Sequence, residues 1–196
     1  MRRKERRTIV FVAASGKVRI IAGKWRGRKL DVLDLSGLRP TPDRVRETLF
    51  NWIQQDVAGA RCLDLFAGSG ALGFEALSRD AAEVILVDSN PKIVDLLQHH
   101  ARTLKSENQS IQLADAMSWL RQDVEAFDII FLDPPFKQGL IEECCALIVE
   151  ESLLKPGGLV YIESEKNLIL PDGWHIRKQK KAGQVQFMLI EQSKET

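Results

Sequence analysis

From residue 61 onward the chain alternates short, apolar, β-branched runs with stretches of helical periodicity, and that rhythm restricts the fold more than any other feature. Runs at 61–65, 83–87, 110–113, 127–132 and 159–162 read as strands buried on both faces. The stretches 71–79, 91–105, 116–122 and 138–150 read as helices, with Asn90 as N-cap of the second. Repeated strand–helix units predict an α/β protein with a doubly wound, mostly parallel sheet. Lys155-Pro156-Gly157-Gly158 reads as a turn into the fifth strand, and runs at 174–180 and 185–191 as a closing antiparallel hairpin. In such a sheet ligands bind beyond the carboxyl ends of the strands. The chemistry is therefore expected just after residues 65, 87, 113 and 132.

Ahead of this core, 18–22 and 28–33 predict a small hairpin around Gly23-Lys24-Trp25-Arg26-Gly27. Thr41 as N-cap and Pro42 at the first helical position predict a helix with Val45, Leu49, Trp52 and Ile53 on its apolar stripe. The expected organisation is a basic extension over 1–16, a hairpin-and-helix subregion over 17–56, and the α/β core over 57–196.

The net charge of +1 argues against a nucleic-acid partner until it is read by region. Residues 1–50 hold 14 Lys/Arg against 5 Asp/Glu, a balance of +9, while residues 51–196 stand at −8. A basic segment on an acidic body suits a polyanion. Cys62, Cys144 and Cys145 are odd in number and lack CxxC spacing, which points to a reducing compartment. Cys144 and Cys145 share helical spacing with Leu140, Ile141, Ile148 and Val149, as a buried face would. His99, His100 and His175 form no ligand pattern, so no metal is expected. No run approaches the roughly 20 apolar residues of a membrane span. The apolar stretch after the first basic residues is shorter than the ~7–15 of a signal peptide. The expectation is a cytoplasmic monomer.

The first strand runs into Asp64-Leu65-Phe66-Ala67-Gly68-Ser69-Gly70-Ala71-Leu72-Gly73. Its glycines allow a tight turn and close approach of a ligand to the backbone. Gly68, Gly70 and Gly73 also match the dinucleotide pattern G-x-G-x-x-G. Asp88, after the second strand, is placed to accept from ribose hydroxyls. Asp64 tilts the choice, since an acid facing this loop repels a pyrophosphate and suits the amino group of S-adenosyl-L-methionine. Asp115 and Ala116, after the third strand, are placed to read an adenine amine; the plainer alternative is that Asp115 only caps the next helix. After the fourth strand, Asp133-Pro134-Pro135-Phe136 forms a stiff exit that cannot continue the ladder. An acid before the prolines and an aromatic after them suit a planar base with an exocyclic amine.

Together, Asp-Leu-Phe-Ala-Gly-Ser-Gly, Asp88 and Asp133-Pro134-Pro135-Phe136 resemble class I S-adenosylmethionine-dependent methyltransferases that modify amino groups. Arg19-Ile20-Ile21-Ala22-Gly23-Lys24-Trp25-Arg26-Gly27-Arg28 and Leu38-Arg39-Pro40-Thr41-Pro42-Asp43-Arg44-Val45-Arg46-Glu47-Thr48-Leu49-Phe50 resemble, more closely, the bacterial 16S rRNA guanine-N2 methyltransferase family. The likeness runs over about 17–191, including Ala182-Gly183-Gln184-Val185. It implies a Rossmann-like, seven-stranded sheet and S-adenosyl-L-methionine as cofactor. It also implies methyl transfer to N2 of a guanine in 16S rRNA, free or within a small-subunit particle.

On this reading Asp64, Phe66, Gly68, Gly70, Asp88, Asp115, Ala116 and Thr41 hold the cofactor. Asp133 and the Pro134 carbonyl accept the amine hydrogens, Pro135 stiffens the loop, and Phe136 stacks on the base. Arg19, Lys24, Trp25, Arg26, Arg28, Arg39, Arg44 and Arg46 hold the RNA. The Pro-Pro loop carries no cysteine, which disfavours covalent methylation of carbon. The alternatives are a DNA amino-methyltransferase with a similar loop, an NAD-dependent dehydrogenase on the glycine spacing, and a binding module with a dead site.

Overall fold

The computed structural model describes residues 14–33, 41–135, 139–165, 168–183 and 185–193. The chain opens with a two-stranded antiparallel sheet, β1 (Ala14–Arg19) and β2 (Lys29–Leu33), joined through a 3-10 turn at Gly23–Trp25. The extension expected over 1–16 lies outside the described residues up to 13, and Ala14–Gly16 already belong to β1. Helix α1 (Asp43–Trp52) follows.

The core then runs β3 (Arg61–Asp64), α2 (Ala71–Ser78), β4 (Glu83–Asp88), α3 (Pro91–Leu104), β5 (Gln109–Leu113), α4 (Ala116–Leu120), β6 (Phe127–Leu132) and α5 (Leu140–Glu150). It ends with β7 (Leu154–Glu165), β8 (Trp174–Ala182) and β9 (Val185–Gln192). The seven-stranded sheet has the order β5-β4-β3-β6-β7-β9-β8, parallel from β5 to β7, with β9 antiparallel to both its neighbours. This is the Rossmann-like class I arrangement expected. The strand order reverses between β3 and β6, which makes the crevice at their carboxyl ends the place for a ligand.

Each element has a local cause. In α3, Asn90 accepts from the Lys92 amide at 3.0 Å, Pro91 occupies the first turn, and Lys105 ends the helix in a left-handed conformation. The predicted turn at 155–158 lies inside β7: Phe127 pairs with Leu154, but Ile129 pairs with Leu159, so the intervening residues bulge out of the ladder. Cys144 and Cys145 are buried in α5 as expected, while Val149 of the same predicted face is exposed.

Two apolar layers cover the sheet. Helices α1, α2 and α3 pack on one face with Phe131, Tyr161, Phe187 and Leu189, and α4 and α5 on the other with Ile130, Ile162, Met188 and Ile190. Helix α1 lies over β6 and β9 through Phe50 against Phe131 (centroids 6.1 Å apart) and Trp52 stacked on Phe187 (5.4 Å).

The small hairpin is fastened to the same face by polar contacts. Glu75 of α2 accepts from the Ile21 and Ala22 amides at 2.7 and 3.0 Å. Ser78 Oγ donates to the Ala22 carbonyl and accepts from the Trp25 amide. At Gly23, with φ +78°, a Cβ would fall 1.6 Å from the Ser78 carbonyl oxygen, so only glycine lets the turn lie this close to α2. His100 of α3 accepts from the Asp31 amide at Nε2 (3.0 Å), and its Nδ1 lies 3.2 Å from the Ser69 carbonyl. Those partners assign the proton to Nδ1. Burial holds the ring neutral, with its pKa lowered to about 4. The hairpin is thereby tied directly to the glycine-rich loop.

Candidate functional site

The acids at the strand ends share one face of the sheet. Asp64 pairs across to Leu86 on one side and Phe131 on the other. Asp88 and Asp133 each lie two residues beyond those partners, and Glu163 lies two beyond Tyr161, itself opposite Phe131. Because side chains alternate along a strand, all four carry the parity of Leu86, Phe131 and Tyr161. They therefore rise along the face covered by the hairpin and α1–α3.

Asp64 is buried, and its Oδ2 accepts from the Gly73 amide at 2.9 Å. Burial raises its pKa to about 7, against the lowering effect of that bond, and Asp88 adds to the rise. Gly70 opens α2 in a left-handed conformation (φ +76°), where a Cβ would meet Phe74 at 2.6 Å and Leu97 at 2.7 Å. A Cβ at Gly73 would press on Leu86 and on Asp64 itself, so this glycine serves close helix–strand packing. Asp88 accepts from the Asn90 amide at 2.8 Å and the Gly68 amide at 3.1 Å. Burial nevertheless raises its pKa. Gly68 is thus held against the second strand end, and Phe66 is half-buried against the α4–α5 side.

Asp115 caps α4, its Oδ1 accepting from the Ser118 amide at 2.9 Å and the Ser118 hydroxyl at 3.0 Å. Those bonds lower its pKa, and the residue is exposed. The plainer alternative for Asp115 is thus what the structure displays, and one carboxylate can cap a helix and still line a pocket. Ala116 is buried at the first position of that helix.

At the end of β6, Asp133 is partly exposed, Pro134 buried and Pro135 exposed, while Phe136 lies outside the described residues. Thr41 Oγ1 donates to Asp133 Oδ2 at 3.0 Å. This corrects the expected N-cap: Pro42 occupies that position with no side-chain cap, and the Thr41 hydroxyl is used 92 residues away. Beside Asp133 stands Glu163, which sequence reasoning missed. It is buried at the end of β7 and accepts from the Tyr161 hydroxyl at 3.2 Å. Burial and the Glu163 carboxylate hold Asp133 well above the usual range, and burial raises Glu163 as well. The available signal was an acid closing the apolar strand Leu159-Val160-Tyr161-Ile162, a fifth strand end as well placed as the other four.

The expected RNA-holding residues divide. Lys24, Arg26 and Arg44 are exposed, Arg19 is exposed beside Asp43 at 3.5 Å, and Arg28 is exposed while donating to the Thr103 carbonyl. Trp25 is half-buried against the core with the Lys24 ammonium 4.6 Å over its ring. Arg39 lies outside the described residues. Arg46 is a correction: it is fully buried, donating to Asp43 Oδ1 at 2.7 Å and the Arg19 carbonyl at 2.8 Å, with Glu75 3.9 Å away. It holds the scaffold together and offers nothing to a phosphate at the surface. Among the described residues, no group of three or more His, Cys, Asp or Glu side chains is arranged to hold a metal ion. No described helix is long and apolar enough to cross a membrane.

The chain is similar to known proteins. A protein of Haemophilus influenzae named ribosomal RNA small subunit methyltransferase D is 45% identical over 184 residues, covering 91% of this chain and 95% of the relative. The protein of the same name from Escherichia coli K12 is 47% identical over 182 residues, covering 91% and 92%. A solved candidate methyltransferase of Escherichia coli superposes with a TM-score of 0.83 at 46% identity, covering 90% of this chain and 98% of its own. These relatives favour neither the DNA methyltransferase nor the dehydrogenase alternative. The model of the family described as conserved hypothetical protein 95 matches residues 18–191. The chain belongs to that family, alongside relatives named as methyltransferases of small-subunit ribosomal RNA.

Proposed function

We propose that this protein transfers a methyl group from S-adenosyl-L-methionine to the exocyclic N2 amine of a guanine in 16S rRNA. The observation that carries the reading is the convergence of Asp64, Asp88 and Asp133 at neighbouring strand ends, with Thr41 donating to Asp133. Relatives named ribosomal RNA small subunit methyltransferase D support the substrate.

The donor set fits this cofactor. Asp64 is a buried carboxyl that accepts a hydrogen bond from the Gly73 amide. It is suited to a cationic amino group and opposes a pyrophosphate. Asp88 faces the loop where ribose hydroxyls would donate. When bound, S-adenosylmethionine supplies an electrophilic methyl on a sulfonium. The chain supplies position: Asp133 and the Pro134 carbonyl accept the two amine hydrogens and aim the nitrogen lone pair, and Phe136 stacks on the extruded base. Guanine N2 is a weak nucleophile, so in-line placement provides most of the acceleration. The amine gains the methyl and loses a proton to Asp133 or to water. The Asp133–Glu163 pair binds protons more readily than ordinary carboxylates.

The test supplies labelled S-adenosylmethionine with small-subunit particles that lack the modification, and with the free rRNA. Label at N2 of one guanine is expected; absence of label from every guanine overturns the proposal. In a parallel melt, S-adenosylmethionine raises Tm and NAD leaves it unchanged.

Asp64 adds a pH dependence. Its pKa is raised by burial to about 7, so a cation that pairs with the carboxylate must expel a proton below that pH. Cofactor affinity should fall about tenfold per pH unit between pH 7 and 5 by this linkage, as read by titration calorimetry. Asp64→Asn should flatten that profile and weaken binding. An unchanged slope in the variant would show that Asp64 does not receive the charge.

A further inference from the structure

The charge asymmetry of the sequence conceals a second basic element. Strand β8, Trp174–Ala182, carries Arg177, Lys178, Lys180 and Lys181 with no acidic residue, although it belongs to the part of the chain, 51–196, that is acidic overall. It is the last strand of the sheet, and all of it beyond Trp174 is exposed. Lys178 pairs opposite Leu189 and Lys180 opposite Phe187, both buried under α1. Directly opposed residues share a face, so these two lysines stand on the α1 side, about 6.8 Å apart along the strand. Arg177 is held 3.9 Å from Asp56. Lys178, Lys180, Lys181 and Arg44 make no ion pair among the described residues.

Between the start of α1 and the β8–β9 turn lies a groove of about 320 Å³, lined by Pro42, Arg44, Thr48, Lys180, Lys181 and Phe187 among others. Cations stand on both walls and an aromatic ring at its base. Pro42 adjoins Thr41, whose hydroxyl is bonded to Asp133. One lining residue is thus next in the chain to the residue that holds Asp133, which sets that end of the groove near the proposed reacting amine.

We infer that β8 and Arg44 form a phosphodiester track that grips the RNA strand on one flank of the target guanine, opposite the flank held by the N-terminal hairpin. The inference rests on the proposed RNA methyltransferase reading and adds a binding surface to it. Charge complementarity selects the occupant, since unpaired ammonium groups along a groove suit successive phosphates. Lysines on an edge strand also discourage sheet-to-sheet pairing. That role alone leaves Arg44, across the groove on another element, without a purpose.

The experiment compares the full chain with Lys178→Ala/Lys180→Ala/Lys181→Ala and with Arg44→Ala. RNA affinity is measured against salt on a 16S rRNA fragment, S-adenosylmethionine affinity by calorimetry, and transfer kinetics on the same RNA. The triple variant should lose at least tenfold in RNA affinity near physiological salt. Its log–log salt slope should be shallower by about 2, at ~0.7 for each phosphate contact on a single strand. The loss should fall on KM for the RNA, with cofactor affinity unchanged. On the unaltered protein, bound RNA should protect Lys178, Lys180 and Lys181 from acetylation, a readout independent of how the variants fold. Wild-type affinity and slope in the triple variant, accompanied by self-association, would overturn the track in favour of edge protection. Unprotected lysines in a protein that does methylate the RNA would also overturn it alone. A wild-type chain that neither binds nor methylates rRNA overturns the track and the proposed function together.

Discussion

Asp133→Ala is expected to lower methyl transfer by about 10³-fold or more while cofactor affinity changes less than about threefold. The estimate follows from losing a positioned polar group that acts on the reacting atom. Asp133 stands beyond the end of β6, on the sheet face that also carries Asp64. Its Oδ2 is oriented by the Thr41 hydroxyl, which leaves Oδ1 to meet the amine. Asp133→Asn should retain some transfer, since the carbonyl still accepts one hydrogen. Its amide NH₂ presents donors where acceptors are needed, so a loss of about 10²-fold is expected. Thr41→Val should cost about tenfold, since it frees the carboxylate without removing it. Burial and Glu163 hold the Asp133 carboxyl above the usual range, and the accepting form is the carboxylate. The kcat/KM of the wild type should therefore rise with pH as Asp133 loses its proton, and Glu163→Gln, which removes the neighbouring charge, should move that rise to lower pH. Single-turnover transfer alongside calorimetry checks all four variants. Normal turnover in Asp133→Ala would refute the assigned role, and tight binding with no turnover would support it.

The strand ends were legible because the pattern behind them is local. Short apolar runs followed by glycine or proline mark where a buried strand must stop, and the sheet carries Asp64, Asp88 and Asp133 there. Two misreadings, Thr41 and Arg46, and one omission, Glu163, share a cause: a partner that lies far away in sequence. Thr41 before Pro42 has the pattern of an N-cap, but the carboxylate 92 positions later takes its hydroxyl. Arg46 belongs by sequence to a basic cluster, yet its helical phase turns it inward between Asp43 and Glu75. Glu163 ends a strand that the turn at Lys155-Pro156-Gly157-Gly158 had separated from the glycine-rich repeat pattern. Only the tertiary arrangement supplies these partners, and for Glu163 the signal was an acid directly after an apolar run. Glu75, the one charge in the wholly buried helix Ala-Leu-Gly-Phe-Glu-Ala-Leu-Ser, is another such signal.

Glu75→Ala should be the most destabilising single substitution outside the apolar core, costing about 3–5 kcal/mol, the range for breaking one side of a buried ion pair. The carboxylate has no exposure and accepts from the Ile21 amide, the Ala22 amide and Arg79 Nε at 2.7, 3.0 and 2.8 Å. It also faces the fully buried Arg46 guanidinium, whose Nε and Nη1 have no hydrogen-bond partner among the described residues. Removing it strands two backbone donors and leaves a buried cation with Asp43 as its only counter-charge within ion-pair distance among the described residues. For a chain of 196 residues such a loss lowers Tm by roughly 10 °C or more, at about 2–4 °C per kcal/mol. Glu75→Gln keeps the shape and one acceptor, and should lose about half as much. Because the stranded charge on Arg46 causes much of the penalty, Arg46→Met introduced beside Glu75→Ala should recover part of it, as a double-mutant cycle would record. Hydrogen exchange should locate the damage at Ile21 and Ala22, where the hairpin meets α2. RNA affinity should then fall more than cofactor affinity, since the hairpin carries Lys24, Arg26 and Arg28. A loss below about 1 kcal/mol in Glu75→Ala, with exchange unchanged at Ile21, would show that apolar packing alone holds the hairpin. The expected loss would place its attachment on one carboxylate, on the helix whose first turn follows the glycine-rich loop.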